Sequence, residues 1–236
     1  MSKYSAFRNR VKAGGETHLD GFRNATKRQI RAYIQNSPTR SEVELLQLEE
    51  QSDKTYTLIP AETKIAIVSD KETFYKRTIL FLPDEDVQMG SYVKYDNKTY
   101  LVTNISDVNG YPQSFVEYCN QSIKVKGEKT EILTGEKDIY GKPKKITVQP
   151  EFYIPCVSTS KIYSVLDNSQ MPLPEGAIMI YLPYHKEIDI PVNYEFQIHG
   201  DNYQVTTVNK INVLTDENGF VYGYLEIRGQ RRQNVK

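Results

Sequence analysis

An internal repeat is the feature of this sequence that most constrains its fold. Segments 63–70, 78–83 and 92–105 recur in the same order at 160–167, 178–183 and 195–208, and an Asn-Gly pair closes each copy at 109–110 and 218–219. The offset between the three longer matches increases from 97 through 100 to 103, as insertions in loops would produce. The sequence therefore predicts two domains of one build, with Tyr100 equivalent to Tyr203 and Pro83 to Pro183.

Short β-branched and aromatic runs separated by turn residues make up the chain after Pro38. Many short strands at this spacing are typical of small sandwiches and barrels. We expect a mainly β protein, with a basic helical N-terminal arm followed by two similar small β-barrel or sandwich domains. The predicted divisions are a helical arm at 1–38, a first β domain at 39–126, a connecting hairpin or loop at 127–154, and a second β domain at 155–236.

The arm is predicted to be helical. Tyr4–Val11 forms a short helix that Gly14 and Gly15 end, and Thr17 caps a second helix at about 18–35, before Pro38. One apolar stripe runs along the second helix through Phe22, Ala25, Thr26, Ile30, Tyr33 and Ile34. A different face carries Arg23, Lys27, Arg28 and Arg31.

The formal net charge of zero hides an asymmetry: residues 1–40 carry +7 and the remaining residues −7. Zero total charge excludes a histone-like polyelectrolyte but leaves a local basic patch open. We expect residues 1–36 to be a docking arm that meets an acidic partner or DNA phosphates. The alternative is a solvated basic helix packed on its own first domain.

Cys119 and Cys156 are too few for a disulfide scaffold or a structural zinc site. We expect both thiols to be buried and inert. No apolar run reaches the length of a membrane span and no signal peptide is recognisable, so a soluble protein made in the cytoplasm, with no membrane partner, is expected.

No catalytic set is recognisable. The three histidines lack metal-binding spacing, and the glycines of 135–145 do not have P-loop spacing. The acidic run 84–86 is expected to be a solvated loop or a partner contact. The sequence predicts a protein that is not an enzyme and that has no catalytic residue, metal site or cofactor.

The strand at 220–228 is apolar on both faces, with Tyr222 and Tyr224 on one of them. Since one small domain covers only one face of a sheet, the other face meets either the other domain or another subunit.

Several blocks resemble structural proteins of tailed phages that infect Gram-positive bacteria. They are Arg23–Ile30 after a short basic start with Ala-Gly-Gly, Met89–Thr103, Tyr118–Lys124 and Ile154–Val157. These phage proteins and the chain have two similar patterns: a block that runs from a glycine to an aromatic residue, and a Cys-Asn … Pro-Cys-Val pattern. The resemblance implies a virion component of the head-closure or head–tail connector (neck) type.

A neck protein would be a ring-forming subunit between portal and tail. Its expected partners are further copies of itself, the portal, and tail-completion or other neck proteins, with non-specific contact with channel DNA. The alternatives are a minor tail or capsid-associated virion protein, and a β-barrel nucleic-acid-binding module, which the acidic body disfavours. The candidate partner contacts are Phe22, Arg23, Lys27, Arg28, Ile30, Arg31, Tyr222 and Tyr224.

Overall fold

The computed structural model describes residues 17–52, 55–70, 75–108, 111–127, 129–137, 141, 143–163, 170–186, 188 and 190–232. The predicted segment Tyr4–Val11, the Gly14-Gly15 pair and the Asn109-Gly110 turn lie outside these residues. The fold is mainly β, with a single helix among the described residues, which confirms the predicted fold class.

Helix α1 spans His18–Asn36. The strands are β1 Arg40–Glu50, β2 Tyr56–Asp70, β3 Lys76–Phe81, β4 Tyr92–Tyr95, β5 Lys98–Val108, β6 Tyr111–Tyr118, β7 Gln121–Lys126, β8 Thr130–Lys137, β9 Pro143–Val148, β10 Glu151–Thr159, β11 Lys161–Tyr163, β12 Gln170–Pro172, β13 Ala177–Pro183, β14 Glu195–Ile198, β15 Asp201–Asn209, β16 Val213–Thr215 and β17 Val221–Arg231.

The first unit is a closed antiparallel barrel in the order β1-β2-β3-β6-β5-β4. Strand β1 closes it by pairing with both β2 and β4, with Leu45 opposite Val93. Alternate residues of these strands point inward and form the core: Val43, Ala66, Ile79, Phe81, Val93, Tyr100, Val102 and Val116. Closure removes the free sheet edges that a small β domain would otherwise expose.

The second unit has the same strand order. Its sheet runs β14-β15-β17-β13-β10-β7, with β16 added beside β17, and β14 and β7 also contact each other. With β7, β10, β13, β17, β15 and β14 as the counterparts of β1, β2, β3, β6, β5 and β4, the second sheet has the strand order of the first barrel. The duplication inferred from the repeat is therefore present in the topology.

The match is closest around β4–β5 and β14–β15, at the predicted offset of 103. The amide of Gly90 donates to the carbonyl of Val102 at 2.8 Å, and that of Asn193 donates to Val205 at 2.8 Å. Gly90 and Asn193 both have positive φ, 83° and 71°. The equivalence of Tyr100 and Tyr203 follows from this register, since Tyr100 pairs with Val93 as Tyr203 pairs with Phe196.

A β-bulge recurs at the same place in both units. The ladder shifts after Val102 in β5 and after Val205 in β15. The bulged threonine donates its hydroxyl across the strands in each case, Thr103 to Phe115 at 3.3 Å and Thr206 to Arg228 at 3.1 Å. A shared bulge with a shared hydrogen bond marks common descent of the two units better than apolar alternation does.

Two of the repeat matches are out of register. Thr78 and Met179 are equivalent, because their partners Phe115 and Arg228 are, so Pro183 corresponds to Leu82 and not to Pro83. The segment matched at 63–70 corresponds to β10 and not to 160–167, where β11 pairs with β12 in a separate small sheet. Strand β7 lies in the second sheet, although the sequence analysis placed residues 121–126 with the first domain.

Between β7 and β10 the chain forms the β8–β9 hairpin, a two-stranded sheet of its own. It lies within the interval 127–154, where a connecting hairpin or loop was expected, but residues 151–154 of that interval belong to β10 of the second sheet. The described side chains of the hairpin are exposed, Ile146 by 46%.

Candidate docking surfaces

Helix α1 begins at a capping box. Thr17 Oγ1 accepts the amide of Asp20 at 3.1 Å, and the carboxylate of Asp20 accepts the amide of Thr17 at 3.1 Å. The hydroxyl of Thr17 also donates to Oδ2 of Asp20 at 2.6 Å. This hydrogen bond, together with the one from the Thr17 amide, lowers the pKa of Asp20 and so keeps a negative charge at the positive end of the helix dipole. The extended backbone of Ser37 before Pro38 ends the helix.

The inner side of α1 packs on the first barrel. Ile30 and Ile34 are 1% and 0% exposed, and they form a small cluster with Ile67, beside Leu80 and Leu82. Ile30 was a candidate partner contact, but the barrel of its own chain already covers it. This is the arrangement described above as the alternative, a basic helix packed on its own first domain.

Two of the basic candidates also contact the barrel. Lys27 forms an ion pair with Asp84, and Arg31 lies 3.6 Å from the second oxygen of the same carboxylate. The next residue of the acidic run, Glu85, pairs with Lys64. Two residues of the run 84–86, which was expected to be a solvated loop or a partner contact, thus pair with the helix and with β2, while Asp84 and Lys27 remain about half exposed.

The outer side of α1 is open. Phe22 is 72% exposed and Tyr33 59% exposed, and Arg23 and Arg28 are exposed as well. A helix that buries two isoleucines while exposing two aromatic rings has more apolar surface than its own fold uses. Of the helical candidates, Phe22, Arg23 and Arg28 are the ones that remain open to a partner.

The two tyrosine candidates of β17 differ in exposure. Tyr224 is buried at 8% exposure, with its ring edge-on to Tyr181 at a centroid distance of 5.8 Å. Tyr222 is half-buried and pairs with Leu214 in β16. Near them the β16–β17 hairpin exposes Leu214 by 40% and Phe220 by 59%. Sequence reasoning included Phe220 in an apolar strand face but missed Leu214, because β16 has only three residues.

The junction of the two units forms one continuous core. Tyr56, Tyr92 and Leu101 of the first barrel cluster with buried residues of the second sheet. Tyr92 donates its hydroxyl to the carbonyl of Pro155, and the ring of Tyr56 lies 5.3 Å from that of Phe152. Sequence reasoning missed this junction because tyrosines that face the barrel interior and tyrosines that face the junction both recur at every second residue of a strand.

Both cysteines lie at this junction and are buried. Burial raises the pKa of Cys119 well above its ordinary value and that of Cys156 to about 12. Burial likewise raises the pKa of Tyr92 well above its ordinary value. All three groups are therefore protonated at neutral pH and pack as neutral side chains.

Two of the histidines have defined neighbours. The ring of His185 meets Tyr56 edge-on at 5.0 Å, and Nε2 of His199 lies 2.9 Å from the side-chain amide of Gln121. Within the described part of the chain, no three His, Cys, Asp or Glu side chains are arranged to hold a metal ion. In the same residues, no helix has the length and apolar character of a membrane span.

Two similarities, one to a domain model and one to a single protein, relate the sequence to a phage-derived protein. Residues 121–226 match the model of the YomX C-terminal domain, which begins at the first residue of β7 and ends in β17. The chain is also 28% identical over 136 residues to the SPbeta prophage-derived uncharacterized protein YomX of Bacillus subtilis strain 168. That match covers 56% of this chain and 62% of the relative, so the chain spans less than two thirds of the relative's length. No solved structure matches the chain. These similarities link the chain to a prophage-derived protein.

Proposed function

We propose that this chain is a non-enzymatic structural protein of a phage particle, a ring-forming neck subunit of the head-closure or connector type between portal and tail. The prophage-derived relative supports the phage part of the proposal. The structural part is supported by the junction, where two duplicated units share one core.

The observation that carries the proposal is the combination of this fused pair with an open basic helix. The buried tyrosine and cysteine groups at the junction are neutral and serve packing, which suits a load-bearing subunit. Outside it, α1 offers aromatic and arginine side chains to a neighbour. The proposed partners are further copies of the chain, the portal, and tail-completion or other neck proteins, and Arg23 and Arg28 are the groups that would meet channel DNA.

Deleting the gene from the phage genome tests this function. A neck subunit predicts DNA-filled heads that leak and unattached tails, and a plasmid copy of the gene should restore complete particles. Heads that fail to form would indicate a capsid-associated role, whereas tailed but non-infective particles would indicate a minor tail protein. Normal infective particles would contradict any virion role, and salt-sensitive DNA binding by the purified chain would then favour the nucleic-acid-binding alternative.

A further inference from the structure

Two exposed apolar surfaces lie on different units of the chain. The outer helix face consists of the exposed residues Phe22, Ala25 and Tyr33 on α1, with the polar Gln29 between Ala25 and Tyr33. The hairpin patch consists of Leu214, Phe220 and Tyr222 on β16–β17. We propose that the outer helix face of one copy docks on the hairpin patch of the next copy, which names the ring contact of the proposed function and rests on it.

The outer helix face is continuous because its residues recur at three- and four-residue spacing. Phe22 and Tyr33 are eleven residues apart, which is about three turns or roughly 16 Å along the helix. Ile30 and Ile34 hold the helix to its barrel from another side, so docking would not require α1 to detach.

The hairpin patch lies on one side of its two strands. Leu214 pairs with Tyr222, and Phe220 is two residues before Tyr222, so the three side chains share a face. The turn is well ordered, because the Asp216 carboxylate accepts the amides of Asn218 at 2.9 Å and Phe220 at 2.7 Å. The patch is thus formed before any partner arrives.

Charge complementarity identifies a second copy as the occupant. The outer helix face is flanked by exposed Arg23 and Arg28, whereas the hairpin turn carries Asp216 and exposed Glu217. The basic residue Lys210 lies at the opposite end of the hairpin, before β16, and therefore away from the acidic turn. Opposite charges beside two apolar surfaces favour mutual docking and set its direction.

The contact would be heterologous, since the two surfaces differ. Both are exposed in the same chain, so they do not cover each other within it. A head-to-tail contact of this kind repeats from copy to copy and closes into a ring when the rotation permits.

Disulfide trapping between two variants of the full chain tests the contact. Gln29→Cys places a thiol on the outer helix face and Leu214→Cys places one on the hairpin patch, while the native cysteines are buried. The two variants, tagged to differ in mass, are mixed at high concentration and mildly oxidised. We expect 29–214 dimers to form at least ten times faster than dimers between Gln29→Cys and a Tyr153→Cys control, whose residue is 67% exposed on β10.

A 29–214 rate equal to the control rate would overturn the proposal, and so would dimers formed only between identical variants. Charge exchange gives a second readout: Glu217→Arg should slow trapping, and Arg23→Glu with Arg28→Glu in the partner variant should restore it. If the 29–214 disulfide forms but the protein is absent from phage particles, only the proposed function is refuted. If the protein lies in the neck of the particle but the 29–214 disulfide does not form, only this contact is refuted.

Discussion

The hydroxyl of Tyr92 in the first barrel donates a hydrogen bond to the carbonyl oxygen of Pro155 in the second unit. Tyr92 is 2% exposed, so this bond joins the two units inside their common core. A buried hydrogen bond between the units helps to fix their relative position.

Tyr92→Phe should lower the free energy of unfolding by about 1–2 kcal/mol, because it removes the hydrogen-bond donor of the Pro155 carbonyl while the aromatic ring remains. Urea unfolding of the full chain measures the change. Tyr153→Phe is the control, since Tyr153 is largely exposed and should change stability by less than about 0.5 kcal/mol. Equal stability of Tyr92→Phe and the unmodified chain would contradict a role for this bond.

Gly90→Ala tests how closely the two units approach. A Cβ at Gly90 would lie 1.8 Å from the carbonyl oxygen of Gly223 in β17, whereas one at Gly200 would meet nothing within 4 Å. The two glycines have nearly the same φ, 83° and 84°, so Gly200→Ala controls for backbone strain.

We expect Gly200→Ala to cost about 1 kcal/mol from strain and Gly90→Ala to cost about 1–3 kcal/mol more from overpacking. Thermal unfolding of the two variants gives the comparison. Equal losses would mean that the backbones at Gly90 and Gly223 separate easily.

Alkaline pH should destabilise the chain through its buried thiols and tyrosines. Burial raises the pKa of Cys156 from 9.0 to about 12 and that of Tyr224 from 10.0 to about 12, so the folded state holds these protons more tightly than the unfolded one. The stabilisation is complete below about pH 9 and is lost as pH rises towards 12. For Cys156 the loss is at most about 1.4 kcal/mol per pH unit between pH 9 and pH 12.

Urea unfolding between pH 8 and pH 11 follows this loss. Cys156→Ala should decline less steeply than the unmodified chain between pH 9 and pH 10, before the tyrosines contribute. The same slope in both chains would show that the thiol does not take part.

Ile34→Ala should loosen α1 while both β units stay folded. Ile34 is fully buried against the barrel, and its truncation costs about 2–5 kcal/mol of the local packing. Trypsin should then cut after Lys27, Arg28 and Arg31 faster than in the unmodified chain. Tyr33→Ala, at an exposed position, should leave the cleavage rate unchanged; if it accelerates cleavage equally, the assignment of the inner side is wrong.

Sequence patterns predicted the duplicated β fold, most accurately at the turns and at the bulge, where particular residues determine the backbone geometry. The 92–105 and 195–208 match is in register because turn residues and a bulged threonine, Thr103 or Thr206, sit at fixed positions. The 78–83 match is off by one residue, since a run of apolar residues looks alike after a shift and only cross-strand pairing decides which face is buried.

The candidate surface was predicted less completely for a similar reason. The apolar stripe of α1 contained both Ile30 and Phe22, but helical spacing does not say which edge of a wide stripe meets the barrel. Leu214 lay in a segment too short to show a period. The contact between Tyr92 and Pro155 depends on how two units pack, which local sequence does not encode.

Locating the protein in purified phage particles tests the central claim most directly. Gold-labelled antibody against the chain, viewed by electron microscopy, reports its position, with particles lacking the gene as the control. The account predicts label at the junction of head and tail. Label over the head surface, label along the tail or at its tip, or particles without label would contradict it.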